Sequence, residues 1–263
     1  DKSLEDSAAS RVIVKATMEP ETFGNAERIN GTDNVYIYQY ETASEAANAL
    51  EYYDSLSFVE WAETDEIVET QSSSYNSDET FSYGADMLGS KYAKQYLETI
   101  DAPEINIALI DVGINFRLKS FKDTNRVIDS GINLSDTGEA GTAQADVGSP
   151  ASAYHGSHIT SILLDNTASN VNIIGYKAMN RDGYGTLSAV ATCIQLSVEA
   201  GADIINLSLT GIGEPPSLIK EAIQDAYNNG VICVVAAGNE NDDVSYYYPA
   251  NMDEVYAVGA IDY

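Results

Sequence analysis

The first 70 residues alternate short runs of β-branched and aromatic residues with polar segments. This pattern is typical of β-strands, and it predicts four of them: residues 11–15, 35–40, 58–61 and 66–69. Thr42 and Glu45 have the spacing of a capping box, so a helix is expected from there to about Asp54. Residues 11–70 are therefore a predicted α+β module, preceded by a tail of residues 1–10.

The pattern changes in the rest of the chain. Residues 71–85 are polar and rich in serine, which is typical of a linker, and proteolytic processing is expected there. Residues 86–263 carry nearly continuous apolar runs separated by helical stretches, the pattern of strands buried on both faces of a parallel sheet. The predicted strands are residues 105–110, 171–176, 203–209, 231–237 and 255–260. The predicted helices are residues 156–164, 186–200 and 215–229.

Polar residues stand where the predicted parallel strands end. Asp111 directly follows the run INIALI, and Asn239 follows VICVVAAG. His155 opens the helix before the next strand. Ligands of open parallel sheets bind beyond the carboxyl ends of the strands. An Asp, a His and an Asn in such places could orient an imidazole, supply a general base and stabilise an oxyanion, as acyl transfer requires.

The only two histidines of the chain, His155 and His158, are three positions apart. One interpretation is a shared metal ion, although a zinc site needs three or four ligands. The other interpretation is a general base, because the pKa of histidine lies near neutral pH.

The composition argues against several classes of partner. The chain has 41 acidic and 13 basic side chains and a formal charge of −28, which repels nucleic acid and anionic lipid surfaces. No apolar run approaches the roughly 18 residues of a membrane span. The two cysteines, Cys193 and Cys233, stand in apolar surroundings and are predicted to be buried free thiols.

Five segments resemble, in the same order, the sequence boxes of subtilisin-like serine proteases of the peptidase S8 type. These segments are IALIDVG, HGSHITS, NLSLTG, VVAAGNEN and YPANMDEVYAVGAID, and they lie within residues 105–263. The resemblance implies a subtilisin-like α/β fold, with a parallel sheet flanked by helices. It also implies hydrolysis of peptide bonds by an Asp-His-Ser triad.

The resemblance assigns roles to individual residues. It implies that Asp111 and His155 are two members of the triad, that Asn239 is the oxyanion donor, and that His158 is a structural neighbour. Two segments would bind an extended peptide or protein substrate by strand addition. The substrate-binding residues implied are Gly183, Tyr184 and Gly185 in one segment, and Ser208, Leu209 and Thr210 in the other.

The first module resembles the prodomain of such enzymes, which is a small ferredoxin-like α+β domain. A prodomain assists folding and occupies the active cleft with its carboxyl-terminal tail. The resemblance therefore implies a zymogen in which residues 11–70 are the inhibitor and folding module. Self-cleavage is expected within residues 70–80.

The sequence also departs from the family pattern. No Gly-Thr-Ser tripeptide occurs in it, so the nucleophilic Ser is expected outside the chain, which alone should be inactive. The catalytic sheet would be incomplete at its carboxyl-terminal end, with apolar surface exposed until the missing part of the domain joins as a partner. Val112 replaces a Ser or Thr after the catalytic Asp, and Thr160 and Ser161 replace an Ala-Gly pair. Residues 163–176 are short where many relatives carry a calcium loop, so calcium has no clear site, and neither a cofactor nor a metal ligand is assigned.

Three functions are considered. The first is a secreted or cell-surface bacterial serine endopeptidase, with its signal peptide absent from this chain. The second is a non-catalytic relative that binds a peptide or protein in the same cleft. The third is an inhibitor or folding module, residues 11–70, that acts independently of the rest.

Overall fold

The computed structural model describes residues 3–29, 32, 34–70, 87–148 and 150–260. The amino-terminal module (residues 3–70) is built on a four-stranded antiparallel sheet in the order β2-β3-β1-β4. Its strands are β1 (Arg11–Ala16), β2 (Glu27–Ile29), β3 (Val35–Gln39) and β4 (Val59–Thr64), and its helices are α1 (Leu4–Ala9) and α2 (Ala43–Asp54). Helix α2 packs against β1 and β4. The module is therefore α+β, as predicted.

The predicted capping box begins helix α2. The Thr42 hydroxyl accepts a hydrogen bond from the Glu45 amide at 3.2 Å, and the Glu45 carboxylate accepts one from the Thr42 amide at 3.0 Å. The core beneath this helix is rich in tyrosine; it contains Val12, Val14, Ala16, Tyr36, Tyr38, Tyr40, Ala46, Ala49 and Tyr53. The hydroxyls of Tyr40 and Tyr53 are 3.2 Å apart, so these buried rings satisfy their polar ends internally.

The second unit contains a six-stranded parallel sheet in the order β14-β12-β10-β6-β8-β7. Its strands are β6 (Ile105–Asp111), β7 (Val127–Asn133), β8 (Val171–Lys177), β10 (Ile204–Leu207), β12 (Ile232–Ala236) and β14 (Val255–Val258). The helices of this unit are α3 (Ser90–Leu97), α4 (Lys119–Lys122), α5 (His155–Asn166), α6 (Leu187–Glu199) and α7 (Ser217–Asn228). This is the subtilisin-like α/β architecture that the sequence predicts. Strands β7 and β8 lie on one side of β6, and strands β10, β12 and β14 lie on the other. The order in which strands are added therefore reverses at β6, and this places a crevice at the carboxyl end of that strand.

A third sheet joins the two units. Its order is β13-β11-β5-β9, formed by β5 (Ile67–Thr70), β9 (Tyr184–Thr186), β11 (Leu209–Ile212) and β13 (Tyr247–Tyr248). Strand β5 is antiparallel to both of its neighbours. The last predicted strand of the amino-terminal module thus pairs with the second unit and not with the sheet of its own module.

Several elements differ from the sequence-based expectation. The predicted strand 203–209 is divided at Ser208, because the chain leaves the parallel sheet after Leu207 and enters the third sheet at Leu209. Helix α1 lies in the predicted tail, and the pattern did not indicate β2, β7 or α3. No helix within the described ranges is long and apolar enough to cross a membrane.

Candidate active site

Asp111 and His155 form a hydrogen-bonded pair at the carboxyl edge of the parallel sheet. Asp111 is the last residue of β6 and is 1% exposed. His155 is the first residue of α5, and its Nδ1 lies 2.9 Å from Oδ1 and 2.8 Å from Oδ2 of Asp111. Since the carboxylate can only accept, Nδ1 carries the proton. The other ring nitrogen, Nε2, is then left with a lone pair and can act as a base.

A backbone amide, and not the hydroxyl of a Ser or Thr at position 112, holds the carboxylate of Asp111. The amide of Val112 donates to Oδ1 at 2.7 Å, and the Val112 side chain is fully buried. In α5, the hydroxyls of Thr160 and Ser161 donate to the carbonyls of Gly156 and Ser157. These substitutions are therefore accommodated without an unpaired hydroxyl.

Gly156 allows the helix to approach β6 closely enough for the pair to form. A Cβ atom at this position would lie 2.3 Å from the carbonyl oxygen of Gly113 and 3.1 Å from Oδ1 of Asp111. The first distance is shorter than a Cβ atom tolerates and the second is tight, so any larger residue would push the first turn of α5 away from the strand.

We expect Gly156→Ala to separate Asp111 from His155 and to destabilise the protein by about 2 kcal/mol, a typical cost of overpacking. Urea unfolding measures the stability, and the 15N shifts of the His155 ring report the hydrogen bond to Asp111. Gly259→Ala is the matched control, because its Cβ would meet nothing closer than 3.9 Å. Retention of the His155 ring shifts in Gly156→Ala would contradict the steric argument.

Asn239 and His158 differ in their settings. Asn239 follows β12 and is exposed, with its backbone amide donating to the Glu240 carboxylate at 2.7 Å. It thus stands at the same carboxyl edge of the sheet as Asp111. His158 is the fourth residue of α5. Its pKa is lowered, first by burial and then by the charge of the neighbouring His155. Within the described ranges, no group of three or more His, Cys, Asp or Glu side chains could hold a metal ion.

The predicted substrate-binding residues line the strand β5. Tyr184 and Gly185 pair with Glu69 and Val68, and the carbonyl of Gly183 accepts from the Thr70 amide at 2.8 Å. On the other side, Leu209 and Thr210 pair with Thr70 and Glu69. Ser208 lies outside the ladder, and its hydroxyl accepts from the side chain of Asn206. An extended segment of the chain itself, β5, therefore lies between the two predicted substrate-binding segments.

Two carboxylates of the amino-terminal module cap helices of the second unit. Asp65, 4% exposed, accepts from the amide of Ser188 at 3.0 Å and from its hydroxyl at 2.6 Å, in the first turn of α6. Glu63 accepts from the amides of Ser217 and Leu218 at 3.0 and 2.9 Å, in the first turn of α7. Pro216, which precedes α7, supplies no side-chain cap. The negative charges also suit the positive ends of the two helix dipoles.

Further contacts across this interface were not found by sequence reasoning. Glu221 of α7 accepts from Lys15 and from the indole of Trp61, both at 2.7 Å. Tyr248 donates to Glu66 at 2.8 Å. The sequence did contain one signal: ETDEIVE places four acidic residues in and beside the predicted strand 66–69, and three of them accept hydrogen bonds from the second unit.

Together, the six-stranded parallel sheet with its flanking helices and the Asp–His pair at its carboxyl edge are typical of the subtilisin-like class of α/β proteins. Residues 103–263 match the family model described as the subtilase family, peptidase S8. The chain belongs to the subtilase family.

Individual relatives agree with this assignment. Subtilisin DY of Bacillus licheniformis is 37% identical over 152 residues, covering 52% of this chain and 55% of that protein. Subtilisin-like protease 1 of Pseudogymnoascus destructans is 27% identical over 267 residues, covering 100% of this chain and 62% of that protein. The crystal structure of fervidolysin from Fervidobacterium pennivorans, described as a keratinolytic enzyme, has a TM-score of 0.73 at 19% identity, over 100% of this chain and 45% of that one. The chain thus spans about half to three fifths of the length of these proteins.

Proposed function

We propose that the protein is a serine endopeptidase zymogen in which the tail of the amino-terminal module fills the substrate cleft. The observation that carries this proposal is the position of β5, which pairs with β9 on one side and β11 on the other. A peptide substrate would bind between the same strands by main-chain hydrogen bonds. The Asp111–His155 pair supplies the base that peptide hydrolysis needs.

The proposed reaction starts from the Asp111–His155 pair. Asp111 fixes His155 with Nδ1 protonated, so that Nε2 can remove the proton from a serine hydroxyl that attacks the peptide carbonyl. The side-chain amide of Asn239 would donate to the oxyanion that forms, and the protonated His155 would then donate to the leaving amine. Because the sequence has no Gly-Thr-Ser tripeptide, we assign the nucleophile to a serine outside these 263 residues, in the part of the domain that completes the sheet. The chain alone is then inactive.

The organisation of the chain follows from the same proposal. Residues 1–10 are a tail in which Leu4–Ala9 form α1, residues 11–70 are the prodomain, residues 71–85 are the processed linker, and residues 86–263 begin the catalytic domain. The bond that is cleaved falls in the linker, outside the described residues. Secretion, a bacterial source and the action of the module as a separate inhibitor stay predictions.

A serine-directed probe tests the enzymatic proposal. The protein that carries the nucleophilic serine is incubated with a fluorophosphonate after the linker has been cut and the module diluted out of the cleft, and the intact mass of every polypeptide present is measured. We expect an adduct that is absent in the His155→Ala variant, since the nucleophile needs its base. No adduct on any polypeptide would overturn the proposal in favour of a relative that only binds peptides in this cleft.

The two capping carboxylates give docking of the module a defined pH dependence. Burial raises the pKa of Asp65 and of Glu63 above the ordinary values of 3.8 and 4.5, against the opposing effect of their hydrogen-bond donors. The docked state therefore binds protons more tightly than the undocked state. Burying the two carboxylates in their charged forms costs free energy. Protonation removes this cost, so the docked state gains stability as the pH falls through the raised pKa values toward about 4.

We expect the wild-type chain to gain stability relative to the Glu63→Gln/Asp65→Asn variant as the pH is lowered from about 8 to about 5. Urea unfolding followed by Trp61 fluorescence measures the difference at each pH. Glu51→Gln/Asp54→Asn, at exposed positions of α2, is the matched control and should show a constant difference. A gain in the opposite direction would mean that hydrogen bonding outweighs burial at these carboxylates.

A further inference from the structure

The side chains of β5 alternate between the second unit and solvent. Val68 is 1% exposed and Thr70 is 8% exposed, whereas Glu69 between them is exposed. Side chains two positions apart lie on the same face of a strand. Glu66 stands just before β5 and is itself exposed, but its backbone is held to the second unit, because its carbonyl accepts from the Leu187 amide at 2.8 Å.

Glu66 meets a single buried donor at the far end of the cleft. The hydroxyl of Tyr248 donates to its carboxylate at 2.8 Å, and Tyr248 is 1% exposed. Tyr248 belongs to β13, which pairs with β11 through Gly211. The donor therefore stands on the same sheet that holds the bound strand.

The position of this hydroxyl is fixed by packing of the Tyr248 ring against Gly211 and does not depend on Glu66. A Cβ atom on Gly211 would lie 2.1 Å from Cζ of Tyr248 and 2.3 Å from its hydroxyl oxygen. The ring thus fills the space that the missing side chain of Gly211 leaves. The donor would remain in place whichever peptide occupied the cleft.

The environment also keeps the hydroxyl protonated. Burial, followed by the carboxylates of Glu66, Asp65 and Glu63, raises the pKa of Tyr248. A protonated hydroxyl has one hydrogen to donate, and a buried donor without an acceptor is costly.

We propose that Tyr248 is a specificity-determining residue of the cleft, and that it selects chains with a hydrogen-bond acceptor, Glu or Gln, two residues before a buried small aliphatic residue. The inference rests on the proposed function, because it takes the tail as a model of the substrate. A leucine at the position of Glu66 would leave the buried Tyr248 hydroxyl without an acceptor. A lysine there would also fail, because its ammonium group has only donors. The class of substrate is thus an extended peptide with Glu or Gln at one position, any residue at the next, and a small aliphatic residue such as valine at the third.

The tail itself can serve as the test peptide in the full chain. Hydrogen exchange of the amides of residues 67–70 measures how often β5 leaves the cleft. Against the wild type, we expect exchange to be about tenfold faster in Glu66→Leu, the effect of one hydrogen bond to a charged group, and within about threefold in Glu66→Gln. In a Tyr248→Phe background, Glu66→Leu should add less than about twofold, since the donor is gone.

Glu69→Leu is the matched control, because Glu69 lies on the outer face of the same strand, and it should change exchange by less than about twofold. If Glu66→Leu accelerates exchange equally with and without the Tyr248 hydroxyl, the selection by Tyr248 is wrong while the occupied cleft stands. If the amides of residues 67–70 are unprotected in the wild type, the occupied cleft fails and the proposed zymogen fails with it.

Discussion

Replacing Asp111 by Asn is expected to lower kcat/KM for peptide hydrolysis by about 10⁴-fold in the protein that carries the nucleophilic serine. The carboxylate accepts the Nδ1 proton of His155 through both oxygens, at 2.8 and 2.9 Å. An Asn amide can instead donate to Nδ1, which moves the ring proton to Nε2 and removes the base. The loss is measured by steady-state hydrolysis of a chromogenic peptide.

The reason for this loss can be checked separately from catalysis. The 15N shifts of the His155 ring show which nitrogen carries the proton, and they should report the change of tautomer in Asp111→Asn. Asp136→Asn, at an exposed position of the second unit, is the control and should retain both activity and tautomer. Activity within about tenfold of the wild type in Asp111→Asn would show that the pair is not the source of the base.

Replacing Asp65 by Ala is expected to destabilise the chain by about 3 kcal/mol, because the variant loses both an ion pair within the module and the cap on α6. The Asp65 side chain is fully buried and lies 3.3 Å from the Arg11 guanidinium. It also accepts from Ser188 in the first turn of α6. The substitution therefore removes the acceptor of the Ser188 amide and one acceptor of the Arg11 guanidinium, which keeps its hydrogen bond to Gln39.

The single tryptophan of the chain reports this loss directly. Trp61 donates to Glu221 across the interface at 2.7 Å, so its fluorescence should change when the module undocks. Urea titration of the Asp65→Ala variant should show the shift in midpoint, whereas Asp54→Ala, at the exposed end of α2, should not. Equal midpoints for the Asp65→Ala variant and the wild type would mean that the cap at α6 contributes nothing to docking.

The sequence predicts the parts of the fold that depend on local patterns. Buried parallel strands such as β6 and β8 are continuous apolar runs, and the Thr42–Glu45 box is complete within four residues. The strand ends then bring Asp111 to the edge where His155 begins a helix. These features need little knowledge of long-range pairing, so pattern and spacing are sufficient.

The features that were missed depend on contacts between distant residues. Strand β5 has the composition of any half-buried strand, and nothing local indicates that its partners are 115 or more residues away. Asp65 and Glu63 look like solvated acids because their donors, at residues 188 and 217–218, are supplied by another unit. Short elements such as β2 and α1 have too few residues for a period to be recognised.

The placement of β5 also bears on what happens after the chain is cut. While residues 71–86 join the tail to the second unit, the tail rebinds at an effective concentration on the order of millimolar. Cleavage in that segment breaks no contact of β5, but it turns rebinding into a bimolecular event. Occupancy of the cleft is then set by the amount of free module, so simple dilution would open the cleft where cutting alone would not.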